Sequence, residues 1–273
     1  MYERQKAELR LLQEKVAKGK MSRREFMSRM SAMGLGAMAP GLYMQSAMAA
    51  PKKGGRFRQG VTGGATSDVL DPGPILDPYM INVQFGQLRN NLTEVAPSGE
   101  LVPELAESWE GSNGAKTWNF KIRQGVEFHN GKSLTSQDVV DSLNHHLGED
   151  SKSAAKGQLG AVTSVKADGK YGVVVELSGG DADFPFILTD YHLLICPSNG
   201  DGTIDWQSGV GTGGFSLVEH EPGVRTLVKA NPNYWKPNRR FFDEVETLQI
   251  ADSAARENAL RTGELDAMNN VPA

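Results

Sequence analysis

An uncharged run of twenty residues, 30–49, separates a basic leader from the rest of this chain of 273 residues. The run is rich in Gly, Ala, Ser and Met, and it contains the helix-breaking pair Pro40-Gly41. A membrane-spanning helix needs about 20 strongly apolar residues, so this run is poor material for one. The run therefore sets the leader, residues 1–49, apart from residues 50–273, which we expect to form the folded protein.

The residues that flank this run have the pattern of a bacterial export signal of the twin-arginine type. Arg23 and Arg24 stand just before Phe26 on one side, and Ala47 and Ala49 give the A-x-A cleavage pattern on the other. We predict a signal peptide that the twin-arginine translocase reads and that is removed after Ala49. The mature protein would then work, soluble, in a Gram-negative periplasm. The alternatives are a short N-terminal anchor and a chance arginine pair.

Charge and cysteine content exclude several classes of function. The first 30 residues carry nine Lys/Arg and four Asp/Glu, which leaves 20 basic and 29 acidic residues for the remainder, a net charge of −9. So acidic a body is unsuited to nucleic acid or anionic lipid as a partner. Cys196 is the single cysteine of the sequence, which excludes an internal disulfide and Cys-ligated zinc or iron–sulfur sites. We expect it to be a small buried residue.

Hydrophobic periodicity predicts many short elements in place of long helices. Strands are predicted over residues 56–62, 118–122, 161–167, 171–177, 215–219, 225–230 and 245–250. Helices are predicted over 80–91, after a capping box of Thr135 and Asp138, and over 253–262, where Gly263 ends the helix.

Three motifs that could indicate chemistry are better explained without it. Residues 209–214 match G-x-G-x-x-G, but they precede a strand, whereas a dinucleotide loop must open a helix. His145 and His146 are adjacent, so on a helix their side chains point about 100° apart and do not chelate together. Asp181 and Asp183 have no base, nucleophile or oxyanion loop beside them. We therefore expect no metal, no cofactor and no catalytic residue, and the sequence favours binding.

Four blocks of the sequence resemble one known family. GELVPELAESWE (99–110), TWNFKIRQGVEFHNGKSLTSQDVVDSL (117–143), GTGGFSLVEHEPGVRTLVKANPNYW (211–235) and DSAARENALRTGELDAM (252–268) follow its signatures in the same order. The LDP of residues 70–72 fits as well. They are similar to the solute-binding proteins of peptide/nickel-type ABC importers, family 5 of the extracellular solute-binding proteins.

The resemblance implies a mixed α/β fold of the type II periplasmic-binding class, in which two lobes close over a solute. Lobe I would be discontinuous, with residues 50–77 and 197–273, and an α+β insert domain would occupy residues 78–196. Family members continue with a second large lobe, so we expect the chain to be the front half of such a protein. Gly214 stands where the family usually has Pro, which should loosen that turn.

The implied function is capture of a small solute, most favourably an oligopeptide, by a monomer that delivers it to an inner-membrane ABC permease driven by a cytoplasmic ATPase. Solute would bridge both lobes only when they are closed, and so stabilise the closed state. The alternatives are a ligand-presenting partner of a chemoreceptor, which needs the same fold, and an exported enzyme, which would carry a cofactor.

Seven residues are candidates for contact with the solute. The resemblance places six of them at the cleft: Ala65, Thr66, Asp68, Tyr79, Thr212 and Gly213. Trp206 is a candidate by its own position, in a polar loop directly before the glycine cluster.

Overall fold

The computed structural model describes residues 53–271 and, within the leader, Leu12, Lys15, Met21, Glu25 and Arg29. The chain divides into two units, Met1–Lys52 and Lys53–Ala273, and every strand of the described residues belongs to the second unit. The predicted signal residues Arg23, Arg24, Phe26, Ala47 and Ala49 lie outside the described residues. Within the described part of the chain, no helix has the length and apolar character needed to cross a membrane.

Residues 53–271 contain eleven strands and four α-helices, joined by turns and loops. The strands are β1 Arg56–Val61, β2 Thr93–Val95, β3 Leu101–Pro103, β4 Ala106–Ser112, β5 Thr117–Ile122, β6 Val162–Asp168, β7 Gly172–Leu177, β8 Phe215–Glu221, β9 Arg225–Ala230, β10 Glu244–Gln249 and β11 Ala267–Met268. The helices are α1 Pro78–Val83, which continues as one π-helical segment Gln84–Leu88, α2 Ser136–His145, α3 Phe184–Ile187 and α4 Ser253–Thr262.

The first sheet has five strands in the order β11-β1-β10-β9-β8. β1 runs parallel to β10 and β11, with Val61 opposite Gln249, whereas β8, β9 and β10 are antiparallel. The carboxyl ends of the three parallel strands therefore share one edge with the tip of the β8–β9 hairpin. β8 begins at the opposite edge, because its Phe215 pairs with Ala230 at the end of β9.

The second sheet, β4-β5-β7-β6, is antiparallel and belongs to the segment between the two parts of the first. Trp118, Phe120 and Ile122 of β5 are buried, while Asn119 and Lys121 between them are exposed. This confirms the strand predicted from alternation, because one face of β5 packs on a core and the other meets water. The core lies between this sheet and α2.

The caps predicted from sequence are present in α2 and α4. Asp138 Oδ2 accepts from the backbone N–H of Thr135 at 2.8 Å, the capping box expected before α2. Asp252 caps α4 by accepting from Ala255 N at 2.7 Å, and Gly263 ends that helix with a left-handed φ of 78°. The helix predicted over 80–91 was wrong at both ends, because Asp77 starts the helix before Pro78 and Arg89 returns to extended backbone.

Packing bears on where the insert domain begins. Tyr79, Met80, Val83 and Leu88 form one core with the five-stranded sheet, against Val61, Phe215, Val228 and Val245. The residues of the second sheet pack in a separate core that extends from Leu92 to Ile195. The division at residue 78 stays a prediction, although Tyr79, Met80, Val83 and Leu88 pack with the five-stranded sheet.

Candidate functional site

The candidate site is the end of the five-stranded sheet at which the three parallel strands terminate. In open α/β sheets, ligands bind in the crevice outside the carboxyl ends of the strands. We call this surface the carboxyl edge and define it as residues 62–77, 222–224 and 250–252. Backbone contacts hold its parts together, since Ile250 N donates to Val61 O at 3.0 Å and Gln249 N donates to Val224 O at 2.9 Å.

A glycine pair lets the chain turn sharply as it leaves β1. Gly63 and Gly64 have φ values of 88° and 83°, a region that L side chains rarely adopt. Asp77 Oδ1 accepts from Gly64 N at 2.9 Å, and also from Tyr79 N at 2.9 Å and Met80 N at 3.1 Å. A Cβ on Gly63 would lie 2.9 Å from the same oxygen. One carboxylate thus caps α1 and closes the loop that follows β1.

The hairpin tip packs directly on this loop. A Cβ on Gly223 would lie 2.7 Å from the carbonyl carbon of Ala65, so only glycine fits there, and its φ of 71° is left-handed. Asp68 Oδ2 accepts from Ala65 N at 2.7 Å and closes a tight turn. As a result the side chains of Ala65 and Thr66 point into solvent from a fixed backbone.

Three carboxylates line a cavity of about 230 Å³ at the carboxyl edge. They are Asp68, Asp71 and Asp77, and the remaining wall is formed by Ser67, Val69, Pro74, Ile75 and Met80. Burial, helped by the charge of Asp77, raises the pKa of Asp68. Burial acts to raise the pKa of Asp71 too, but hydrogen bonds from His145 and Gly73 outweigh it, so that pKa lies below its usual range. The arrangement favours a positively charged group in the cavity.

Tyr79 lies beneath the carboxyl edge in a buried hydrogen-bonded chain. Its hydroxyl is 2.8 Å from Thr226 Oγ1, which is 2.8 Å from His220 Nδ1. Burial raises the pKa of Tyr79 to about 12 and lowers the pKa of His220, so both side chains are neutral at pH 7. Tyr79 and His220 thus support the edge without adding charge to it.

Thr212 and Gly213 lie at the opposite end of the sheet, directly before β8. Thr212 is fully buried, and its Oγ1 donates to Asn90 Oδ1 at 2.9 Å. Gly213 N donates to Leu88 O at 2.9 Å, and a Cβ on Gly213 would lie 2.2 Å from Gln87 O. This explains the glycine cluster as a close crossing of two backbones.

Trp206 is half-buried, and its carbonyl oxygen accepts from Arg89 Nη2 at 2.9 Å. The buried Arg89 also donates to Leu70 O at 2.6 Å, so it ties the Trp206 loop to the segment after β1. The structure therefore brings Ala65, Thr66, Asp68 and Tyr79 together and places the other three elsewhere. Contact with a solute stays a prediction for all seven.

Sequence reasoning missed the residue that organises the edge, Asp77. A signal was present, since an Asp followed by Pro is the pattern of an N-cap and first helical position. It also missed that His145 and His192 would bind the segment 70–75, because their partners lie 74 and 117 residues away. No group of three or more His, Cys, Asp or Glu side chains placed to hold a metal ion occurs among the residues described.

A larger cavity, of about 570 Å³, lies at the opposite edge, where Phe215 starts β8. Lys236 Nζ lies 2.7 Å from Glu94 Oε2 and 2.7 Å from Glu104 Oε1, so its charge is matched within the protein. Burial raises the pKa of Glu104, although Lys236 opposes this. We assign this cluster to cohesion between the insert side and the five-stranded sheet, because Glu94 of β2 and Glu104 belong to the insert side and Lys236 follows β9.

Comparisons with known proteins agree with this architecture. The sequence profile of the bacterial extracellular solute-binding proteins, family 5 (Middle) matches residues 100–273. The oligopeptide-binding protein AppA of Bacillus subtilis is 30% identical over 192 residues, which is 67% of this chain and 35% of AppA. The nickel-binding periplasmic protein of Escherichia coli is 27% identical over 208 residues, 72% of this chain and 39% of the relative.

Solved structures show the same fold. AppA in complex with a nonapeptide superimposes with a TM-score of 0.72 at 27% identity and covers 82% of this chain and 45% of AppA. AgaA of A. tumefacien R10 in complex with agropinic acid gives 0.70 at 29% identity, covering 80% of this chain and 44% of AgaA. The fold is therefore mixed α/β of the type II periplasmic-binding class.

The chain spans 24 to 39% of the length of curated relatives that it matches. Its four resemblance blocks, its five-stranded sheet and its profile match all indicate the same group. The chain belongs to the bacterial extracellular solute-binding proteins, family 5.

Proposed function

We propose that this protein is the solute-capturing component of an ABC importer and that its carboxyl edge forms one wall of the cleft. The single observation that carries the proposal is the cavity with Asp68, Asp71 and Asp77, at the edge where ligands bind in open α/β sheets. Three carboxylates in so small a space favour a cationic solute group. The free amino group of an oligopeptide supplies that charge.

Two features support an oligopeptide over other solutes. The Ala65-Thr66 turn beside the cavity is fixed by Gly223 and Asp68, so its exposed side chains offer a preorganised surface to a peptide. The family relative AppA has been solved with a nonapeptide. The same proposal includes three further points. The protein delivers its solute to an inner-membrane permease with its ATPase. It acts as an exported monomer in the periplasm, and it does not catalyse a reaction.

The test uses the chain itself and pairs of peptides that differ only in the amino terminus. Backbone amide signals of Gly64, Ala65 and Asp68 are followed by NMR during titration with a tripeptide and with its N-acetylated form. We expect shifts with the free amine and none with the acetylated peptide. Asp68→Asn should reduce the shifts at least threefold, whereas the exposed control Asp183→Asn should not.

Equal shifts with both peptides would remove the role of the carboxylates. Shifts confined to residues outside the carboxyl edge would reject the site itself.

A further inference from the structure

His192 is a buried side chain whose two ring nitrogens both face acceptors. Its Nδ1 lies 2.6 Å from Asp190 Oδ1, and its Nε2 lies 2.7 Å from the carbonyl oxygen of Ile75. The residue is 3% exposed. A carbonyl oxygen can only accept a hydrogen bond, and so can an ionised carboxylate. Both contacts are hydrogen bonds only if both nitrogens carry protons.

Asp190 is well placed to compensate the resulting positive charge. Its Oδ1 also accepts from the backbone N–H of His192 at 2.9 Å, and its Oδ2 accepts from Gln158 Nε2 at 3.0 Å. Burial acts to raise the pKa of Asp190, yet the bonds from His192 and Gln158 outweigh it and hold that pKa below its usual range. Asp190 is therefore an acceptor on both oxygens and has no proton to offer to the ring.

The other titratable groups near the ring leave this pair intact. Burial, with the charge of His145, lowers the pKa of His146 to about 3, so His146 is neutral. His145 is paired with Asp71, at 2.9 Å between Nε2 and Oδ1. The Tyr191 ring lies against the His192 ring, with centroids 4.1 Å apart, and brings no charge.

The Ile75 carbonyl connects His192 to the carboxyl edge. Ile75 is two residues before Asp77, the carboxylate that holds Gly64 and starts α1. The segment 70–75 is otherwise tied to the insert by His145 on Asp71 and by Ala154 N, which donates to Gly73 O at 3.0 Å. The segment that leads to Asp77 is thus held by its own core, through Leu70 and Ile75, and by His145 and His192 from the insert side.

We propose that His192 is a doubly protonated imidazolium, and that it is a positioning residue that pins segment 70–77, and with it Asp77, at the carboxyl edge. When the ring loses its second proton, a lone pair faces either Asp190 or Ile75 O, and one of the two hydrogen bonds is lost. Both hydrogen bonds, and with them the pin, therefore require the doubly protonated ring. Its effect on solute capture rests on the proposed function, whereas its protonation state does not.

Long-range ¹H–¹⁵N NMR of the imidazole rings in the intact chain tests the protonation directly. At neutral pH we expect both nitrogens of His192 to be protonated. Asp190→Asn should convert the ring to a neutral tautomer at neutral pH and shift the amide signals of Ile75, Asp77 and Gly64. The exposed control Asp168→Asn should change neither.

A single protonated nitrogen on His192 in the wild-type chain at neutral pH would overturn the proposal. So would an Asp190→Asn ring that keeps both protons, or loss of a ring proton in Asp190→Asn that leaves the Asp77 and Gly64 amide signals in place. His192→Gln, whose side-chain amide can donate to Ile75 O, should keep the Asp77 amide signal near its wild-type position. Failure of peptide binding with a doubly protonated His192 would reject the proposed function and leave the pin standing.

Discussion

The Asp77 carboxylate accepts the backbone N–H of Gly64 at 2.9 Å, across 13 residues of sequence, with the same oxygen that caps α1. The loop after β1 and the helix after it are therefore fixed by one side chain. The carboxyl edge is built on this relationship, because Asp77 also lines the cavity that it shapes.

Replacing Asp77 with Ala should lower the free energy of unfolding by about 2 kcal/mol. Loss of an N-cap costs about 1 kcal/mol, and the loop hydrogen bond to a charged acceptor contributes a similar amount. Urea unfolding followed by far-UV circular dichroism measures the change. Asp77→Asn is the matched control, since an amide oxygen can accept the same N–H groups, and it should cost less than half as much. Equal losses in the two variants would show that charge, and not capping, is what Asp77 supplies.

Gly213→Ala should destabilise the protein by about 1–3 kcal/mol through overpacking alone. The added Cβ would lie 2.2 Å from Gln87 O and 2.5 Å from Leu88 C, which are backbone atoms that cannot swing aside. The φ of Gly213 is not left-handed, so the substitution adds no strain of that kind. In Gly157→Ala the new Cβ would meet no described atom within 4 Å, and its unfolding free energy should stay within about 0.5 kcal/mol of wild type. A stable Gly213→Ala protein would contradict the close backbone crossing.

Removing the charge of Lys236 should cost about 3 kcal/mol in unfolding free energy. Lys236→Met leaves Glu104 buried beside Glu94 with no cation. Removing one partner of a buried ion pair costs several kcal/mol. We expect a loss at the lower end of that range because the Glu94 side chain is partly exposed to solvent. Adding Glu104→Gln to Lys236→Met should recover at least half of the loss. Lys166→Met, at an exposed position of β6, is the control and should be near neutral. A double variant no more stable than Lys236→Met would show that the lost energy is packing and not charge.

The parts of the fold that local pattern decides were predictable. Alternation of Trp118, Phe120 and Ile122 predicts a half-buried strand because β geometry sends successive side chains to opposite faces, and Gly263 predicts the end of α4 because that position needs a left-handed φ.

The candidate site depends on partners that are distant in sequence. His145 bonds Asp71 and His192 bonds Ile75 O, and nothing near either histidine in the sequence indicates these contacts. The sequence predicts that His145 and His146 do not chelate a metal together; in the structure their side chains bond to different partners, Asp71 and Ser153. The partner of each histidine is set by how the two cores pack, which the local sequence does not show.

Stability should fall as pH is lowered from about 6.5, the ordinary histidine pKa, toward 4. His146 is buried with its pKa lowered to about 3, and burial also lowers the pKa of His129 and His220. At these three histidines the unfolded chain takes up protons in this window that the folded chain does not, so they lower the free energy of unfolding as pH falls. His146→Gln should reduce the slope of unfolding free energy against pH by close to one proton, about 1.4 kcal/mol per pH unit, in urea titrations at a series of pH values.

His145→Gln serves as the comparison, because His145 is partly exposed and paired with Asp71. This variant should leave the portion of the slope due to His146 in place. An unchanged slope in His146→Gln would mean that the folded protein accepts a proton at His146, against the burial that the structure gives it.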